Sequence, residues 1–134
     1  MEINTLIEEA TKAIDRGYEK GKHQVGSAIL MKSGKVYTGF SINAQKMDIC
    51  AEWVAVGKAF SEGEKDVKMI ASVKRNEDGT HEILPPCGLC RELQTTYFPD
   101  AEIILSTDKK VKATDLLPNP WQKKKMTAPG QKLL

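Results

Sequence analysis

Apolar residues open the chain at helical spacing: Ile3, Leu6, Ile7, Ala10, Ala13 and Ile14, with Gly17 as a stop. Positions three and four apart share one helix face, so the spacing predicts an amphipathic first helix over 2–16. Gly17 to Lys22 is polar and reads as a loop. Val25 to Met31 then reads as a strand, turned at Lys32-Ser33-Gly34, with Lys35 to Ile42 as its hairpin partner. Asn43 to Asp48 is polar and expected to be loop. From about Cys50 to Phe60 the chain is apolar nearly all round, which predicts a helix buried on several sides and ended by Gly63. Met69 to Lys74 is a third strand, and Asn76–Gly79 is a turn. Pro85-Pro86 stops what precedes it. A third helix is expected from Gly88 to Tyr97, ended by Pro99, then a fourth strand from Ala101 to Ser106. Val111 opens a short fifth strand, and Thr114 to Leu117 is a last helical turn halted by Pro118 and Pro120.

The order α-β-β-α-β-α-β predicts an α/β fold, a mixed sheet with helices on its faces. At 134 residues the chain is one domain, long enough to bury about two-thirds of its unfolded surface. No apolar run approaches the roughly 18 residues of a membrane span, so no membrane association is expected. The acidic, amphipathic N-terminus does not read as a signal peptide. Three cysteines cannot make a fully paired disulfide framework, which makes the cytoplasm the expected location. Charge is uneven. Residues 120–134 carry Lys123, Lys124, Lys125 and Lys132 and no acid, leaving the rest slightly acidic. An acidic body is a poor match for nucleic acid, and the basic tail over 122–134 reads as a solvated end.

The cysteines fall in two short motifs, Cys50-Ala51-Glu52 and Pro86-Cys87-Gly88-Leu89-Cys90, both at expected helix starts. Cys87 and Cys90 are one turn apart and share a face, so they can chelate a metal or close a redox disulfide. Cys50 makes a third thiolate. Structural zinc usually has four protein ligands and catalytic zinc three plus a water, so the count leans toward an open position. Three thiolates on Zn²⁺ leave one excess negative charge, which two helix N-termini partly offset. Glu52, in the first turn of its helix, can reach the mouth of such a site and move a proton to or from water.

Cys-x-Glu followed, 34 residues after the Glu, by Pro-Cys-x-x-Cys resembles the zinc-dependent nucleobase deaminases. The first ligand is Cys rather than His, as in the three-cysteine branch of cytidine and blasticidin-S deaminases. HQVGSAILMKSGKVYTGFSIN at 23–43 looks like that family's first hairpin and ICAEWVAVGKAFSEG at 49–63 like its active-site helix. ILPPCGLCREL at 83–93 looks like its second metal segment, and DLLPNPW at 115–121 resembles its ending. The resemblance covers about residues 5–121 and implies a three-layer sandwich with a five-stranded mixed sheet between helices. It implies a catalytic domain over 1–121 and one zinc per subunit held by Cys50, Cys87 and Cys90. Glu52 would deprotonate the water, protonate cytosine N3 and help ammonia leave, as a free cytosine nucleoside or analogue becomes its uracil form. It also implies a homo-oligomer, usually a tetramer, with shared sites.

The departures bear on substrate. Family members carry Asn-x-Glu late in the second strand for the ribose hydroxyls; Phe40 and Ile42 are expected nearest those positions. Losing two polar contacts weakens ordinary cytidine. A base-packing aromatic before Val-Gly is replaced by His23, and the Arg that often follows Cys-Ala-Glu is Trp53. Arg91 is a candidate to bond the thiolates instead, and Asn43 and Trp121 join His23 as candidate substrate contacts. Three rival readings remain. One is a non-catalytic structural-zinc module with His81 or His23 as fourth ligand; the others are a redox Cys-x-x-Cys and a deaminase acting on single-stranded nucleic acid.

Overall fold

The computed structural model describes residues 2–121; the basic tail over 122–134 lies outside the described residues. Helix α1 (Ile3–Gly17) buries Leu6, Ala10, Ala13 and Ile14, the stripe its spacing predicted. The antiparallel pair β1 (Val25–Met31) and β2 (Val36–Phe40) follows, then a two-stranded ribbon of β3 (Ile42–Asn43) and β4 (Asp48–Ile49). Then come α2 (Ala51–Ser61), β5 (Val67–Arg75), β6 (His81–Ile83), α3 (Gly88–Tyr97), β7 (Glu102–Ser106) and β8 (Lys109–Lys112). A 3₁₀ turn over Ala113–Leu116 follows.

The main sheet runs β2-β1-β5-β7-β8, with β6 paired to the end of β5, so it has six strands where five were expected. Only β5 and β7 run parallel among its pairs, which makes the sheet mixed. Strand β6 escaped sequence reading because it is three residues long and offers a single apolar residue, Ile83, paired with Val73. The ribbon of β3 and β4 occupies part of the segment expected to be loop, pairing Asn43 with Asp48.

Alternation along the strands sorts the core into two layers. Ala28, Leu30, Met69, Ala71 and Val73 face α1, where they meet Leu6 and Ala10. Ile29, Met31, Tyr37 and Ile70 face the other way and meet Ala55, Val56 and Ala59 of α2 and Leu93 of α3. Gly39 faces that second layer, where a Cβ would sit 2.8 Å from Val54 Cγ1 and 2.9 Å from the Ala55 nitrogen. A glycine there lets α2 lie flat on β2, and α2 carries two of the site residues.

The far end of α2 is fixed by a Schellman motif. Gly63 has φ 87°, its N–H donates to the Phe60 carbonyl, and the Glu64 N–H donates to the Ala59 carbonyl. That turn brings Glu64 under the first hairpin, where Ser33 Oγ donates to it at 2.5 Å and Tyr37 Oη at 2.6 Å.

Candidate metal centre

Cys50 and Cys87 are the N-cap residues of α2 and α3, both with extended backbone. Pro85 and Pro86 lack N–H groups and favour extended conformation before them, so the segment arrives straight at the helix start. The Leu84 N–H, donating to the Ser72 carbonyl at 2.9 Å, ties that segment to β5. Cys90 then falls in the first turn of α3 and is fully buried. Two helix N-termini therefore converge on three sulfurs. Sγ of Cys50 and Cys87 are 3.4 Å apart, Cys87 and Cys90 3.5 Å, and all three lie within 4.8 Å of one another. Tetrahedral zinc with bonds of about 2.3 Å requires sulfurs about 3.8 Å apart, so the cluster has the span of one ion.

Electrostatics point the same way. Burial, then the neighbouring Cys87 sulfur, push the Cys50 thiol up to about 11. Burial and the Glu52 charge push Cys90 well up too. Burial also opposes the Cys87 thiolate, but the Cys90 backbone N–H and the adjacent sulfurs outweigh it and lower that pKa. Three thiols at this spacing ionise together near neutral pH only if a cation offsets the charge. Glu52, in the first turn of α2, is 5% exposed. Burial holds its carboxyl above the usual carboxylate range, against the opposing pull of its own backbone N–H and the Ser72 and Cys90 side chains. A buried carboxylic acid beside a three-ligand metal site can exchange protons with water and substrate.

The three cysteines and Glu52 line a cavity of about 350 Å³. Its remaining walls include Gln24, Ser41, Asn43, Asp48, Ser72 and Lys74. Asn43 lies in the wall. Phe40 and Ile42 do not: Phe40 packs edge-on against His23, and Ile42 is exposed. Strand parity is the reason. Tyr37 and Gly39 face α2, so Ser41 continues that face while Phe40 points away. His23 is likewise outside the wall, its Nδ1 2.8 Å from the Ser41 carbonyl; the next residue, Gln24, takes the cavity side. Trp121 is 77% exposed and outside the wall. Arg91 spends its guanidinium on backbone, donating to the Pro86 carbonyl at 2.8 Å and the Leu116 carbonyl at 3.1 Å. It thus ties the metal-binding segment to the last 3₁₀ turn. His81 Nε2 lies 2.9 Å from Asp15 Oδ1, and among the described residues the ligand cluster consists of the three cysteines without a histidine. Gln24, Ser41, Asp48, Ser72 and Lys74 were not singled out from sequence, though strand alternation carries the signal for Ser41, Ser72 and Lys74.

A three-layer α/β sandwich holding a three-thiol site beside a buried carboxyl defines a metal-dependent hydrolase of the zinc type. The model of the cytidine and deoxycytidylate deaminase zinc-binding region matches residues 1–106. The chain is 36% identical over 117 residues to a blasticidin-S deaminase from Bacillus cereus, covering 83% of this chain and 84% of that one. It is 35% identical over 129 residues to a cytidine deaminase from Halalkalibacterium halodurans, covering 90% and 95%. Among solved structures, the cytidine deaminase of Mycobacterium tuberculosis superposes with a TM-score of 0.78 at 27% identity, over 92% of this chain and 99% of that one. That of Burkholderia pseudomallei gives 0.76 at 27%, over 90% and 100%. The chain belongs to the cytidine and deoxycytidylate deaminase family. It is a zinc-binding hydrolase acting on C–N bonds, built on the fold the sequence predicted. No helix of the described residues is long and apolar enough to cross a membrane.

Proposed function

We propose that this protein hydrolytically deaminates the cytosine of a free nucleoside or nucleoside analogue, such as cytidine or blasticidin S, releasing ammonia. The observation that carries this reading is the convergence of Cys50, Cys87 and Cys90 at two helix N-termini beside buried Glu52. Those cysteines would hold one zinc per chain, which would supply Lewis acidity and lower the pKa of a water. Glu52 does the proton work. Its raised pKa lets it take the proton of the attacking water, deliver it to ring N3, and assist the departing amine. Asn43 and Ser41 line the cavity and are assigned here to the sugar.

Glu52→Gln is the test. The variant keeps its zinc, measured by metal analysis, and loses turnover by on the order of 10²–10⁴-fold or more. Retained activity on cytidine and blasticidin S would sink the mechanism. Zinc without activity in the wild type on any cytosine nucleoside would favour a structural-zinc binding module. Side-by-side turnover of cytidine, deoxycytidine and blasticidin S assigns the substrate. We further propose a homo-oligomer, tetramer or dimer, located in the cytoplasm. Exposed Ile42, Trp53 and Leu89 sit on β3, α2 and α3, and exposed Met47 in the turn between β3 and β4. Large apolar residues exposed around a site are candidates for a contact surface, and sedimentation reads the state directly.

A further inference from the structure

Ser27 and Ser72 place two hydroxyls in the layer between the sheet and α2. They are register partners on the adjacent strands β1 and β5. Strand alternation turns both toward α2, as it turns Ile29 and Ile70 two residues away. Ser27 is fully buried and Ser72 nearly so. A buried hydroxyl costs stability unless it is bonded, and alanine would fill either place without that demand. What the two serines contribute is therefore set by where their hydrogen bonds go.

Those bonds have a direction. Ser27 Oγ lies 3.1 Å from the Ala71 carbonyl, which can only accept, so Ser27 donates there. With its one proton spent, Ser27 accepts from Ser72 at 3.2 Å. Ser72 is left with an unused acceptor position, and it lines the cavity together with Glu52. The Ser72 and Cys90 side chains both reach the Glu52 carboxyl. Cys90 belongs to the three-sulfur cluster, which leaves the hold on that carboxyl to Ser72. A hydroxyl suits a group that gains and loses a proton. It accepts from the carboxyl when Glu52 is protonated. When Glu52 is ionised, the hydroxyl turns its own proton from Ser27 to the carboxylate. The Ala71 carbonyl, part of the sheet, keeps the pair of oxygens in place through both states.

We propose that Ser72, anchored through Ser27 to the Ala71 carbonyl, is a positioning residue that holds the Glu52 carboxyl in the orientation proton transfer needs. This rests on the deaminase reading above, and two readouts separate the two. One is steady-state turnover of cytidine and blasticidin S. The other is the infrared carboxyl band of Glu52, identified as the band that Glu52→Gln removes, which needs no substrate. Ser72→Val lowers kcat about tenfold or more, with KM and zinc content held, and moves the Glu52 band. Ser72→Thr has the shape of the valine variant and keeps the hydroxyl; it recovers most of the turnover and leaves the band near its wild-type place. Ser72→Ala repeats the valine result without added bulk, so a misfit of the branched side chains does not hide the answer. Ser27→Ala lowers kcat less, and adds no further loss to Ser72→Ala, because it acts through Ser72. Wild-type kcat in both Ser72→Val and Ser72→Ala overturns the assignment, as does a Glu52 band that neither variant moves. Full additivity of the two alanine substitutions overturns the anchoring through Ser27. A wild type that turns over no cytosine nucleoside, yet whose Glu52 band moves with Ser72, refutes the deaminase reading and leaves the hold on Glu52 standing.

Discussion

Replacing Gly39 with alanine tests how closely the sheet and the metal-bearing helix must approach. The new Cβ would sit 2.8 Å from Val54 Cγ1 and 2.9 Å from the Ala55 nitrogen, about 0.6 Å inside ordinary contact at 3.4 Å. The second neighbour is backbone of α2, so a rotamer change does not relieve it, and the helix must lift. Overpacking of this kind costs about 1–3 kcal/mol. Losing a glycine from the unfolded chain returns about 0.4–1 kcal/mol. Overpacking wins, leaving about 1–2 kcal/mol of destabilisation, or roughly 4–8 °C in Tm for a chain of this size. Glu52 lies within one turn of the clash and Cys50 just beyond it. A displacement of about half an ångström there costs on the order of tenfold in turnover, given about a hundredfold per ångström. Gly57, in the same helix with nothing within 4 Å of its Cβ position, is the control. Gly57→Ala should gain about 0.5–1 kcal/mol from helix propensity and leave turnover alone. Thermal melts and steady-state deamination of both variants suffice. A Gly39→Ala protein with wild-type Tm and turnover would refute the claim that this approach positions the site.

Four other outcomes are expected. Arg91→Ala frees the Pro86 and Leu116 carbonyls and should cost about 2 kcal/mol by denaturant titration, with weaker zinc retention under competing chelator; unchanged zinc affinity would show that the brace does not serve the site. Ser33 and Tyr37 hold the Glu64 carboxyl below the usual range. That stabilisation is present above the unfolded-state value near 4.5 and is lost as pH falls through the lowered folded value, so the stability gap between wild type and Glu64→Gln should close in acid. The reciprocal hydrogen bond to Glu64, then burial, raise Tyr37 to about 12; its contribution is complete below about 10 and fades as pH climbs toward 12, which alkaline melts of wild type and Tyr37→Phe would read. Stripping zinc with a chelator should lower Tm reversibly, and an indifferent Tm would mean that the cysteines hold no metal.

Periodicity and composition carried most of the fold. The face of α1, the strand Val25–Met31 and the helix Gly88–Tyr97 each follow from a pattern strong enough to be read alone, and the structure agrees. What stayed hidden was short. The three-residue β6 and the two-residue strands β3 and β4 owe their existence to a partner already in place rather than to their own residues. The site divided along the same line. Cys50, Glu52, Cys87 and Cys90 are spaced by helix starts, and a helix start is visible in sequence, so their convergence could be anticipated.

The cavity wall depends instead on strand parity, which a one-residue error reverses completely. Placing the sugar side at Phe40 and Ile42 puts an aromatic and an aliphatic residue there; moving one step places Ser41 and Asn43, both polar. The same step exchanges His23 for Gln24. Tyr37 could have fixed the register, because a strand that buries Tyr37 and Gly39 beneath α2 must turn Ser41 to the same side. The consequence is chemical. The departure from the family pattern is a change of polar groups rather than their replacement by an apolar wall.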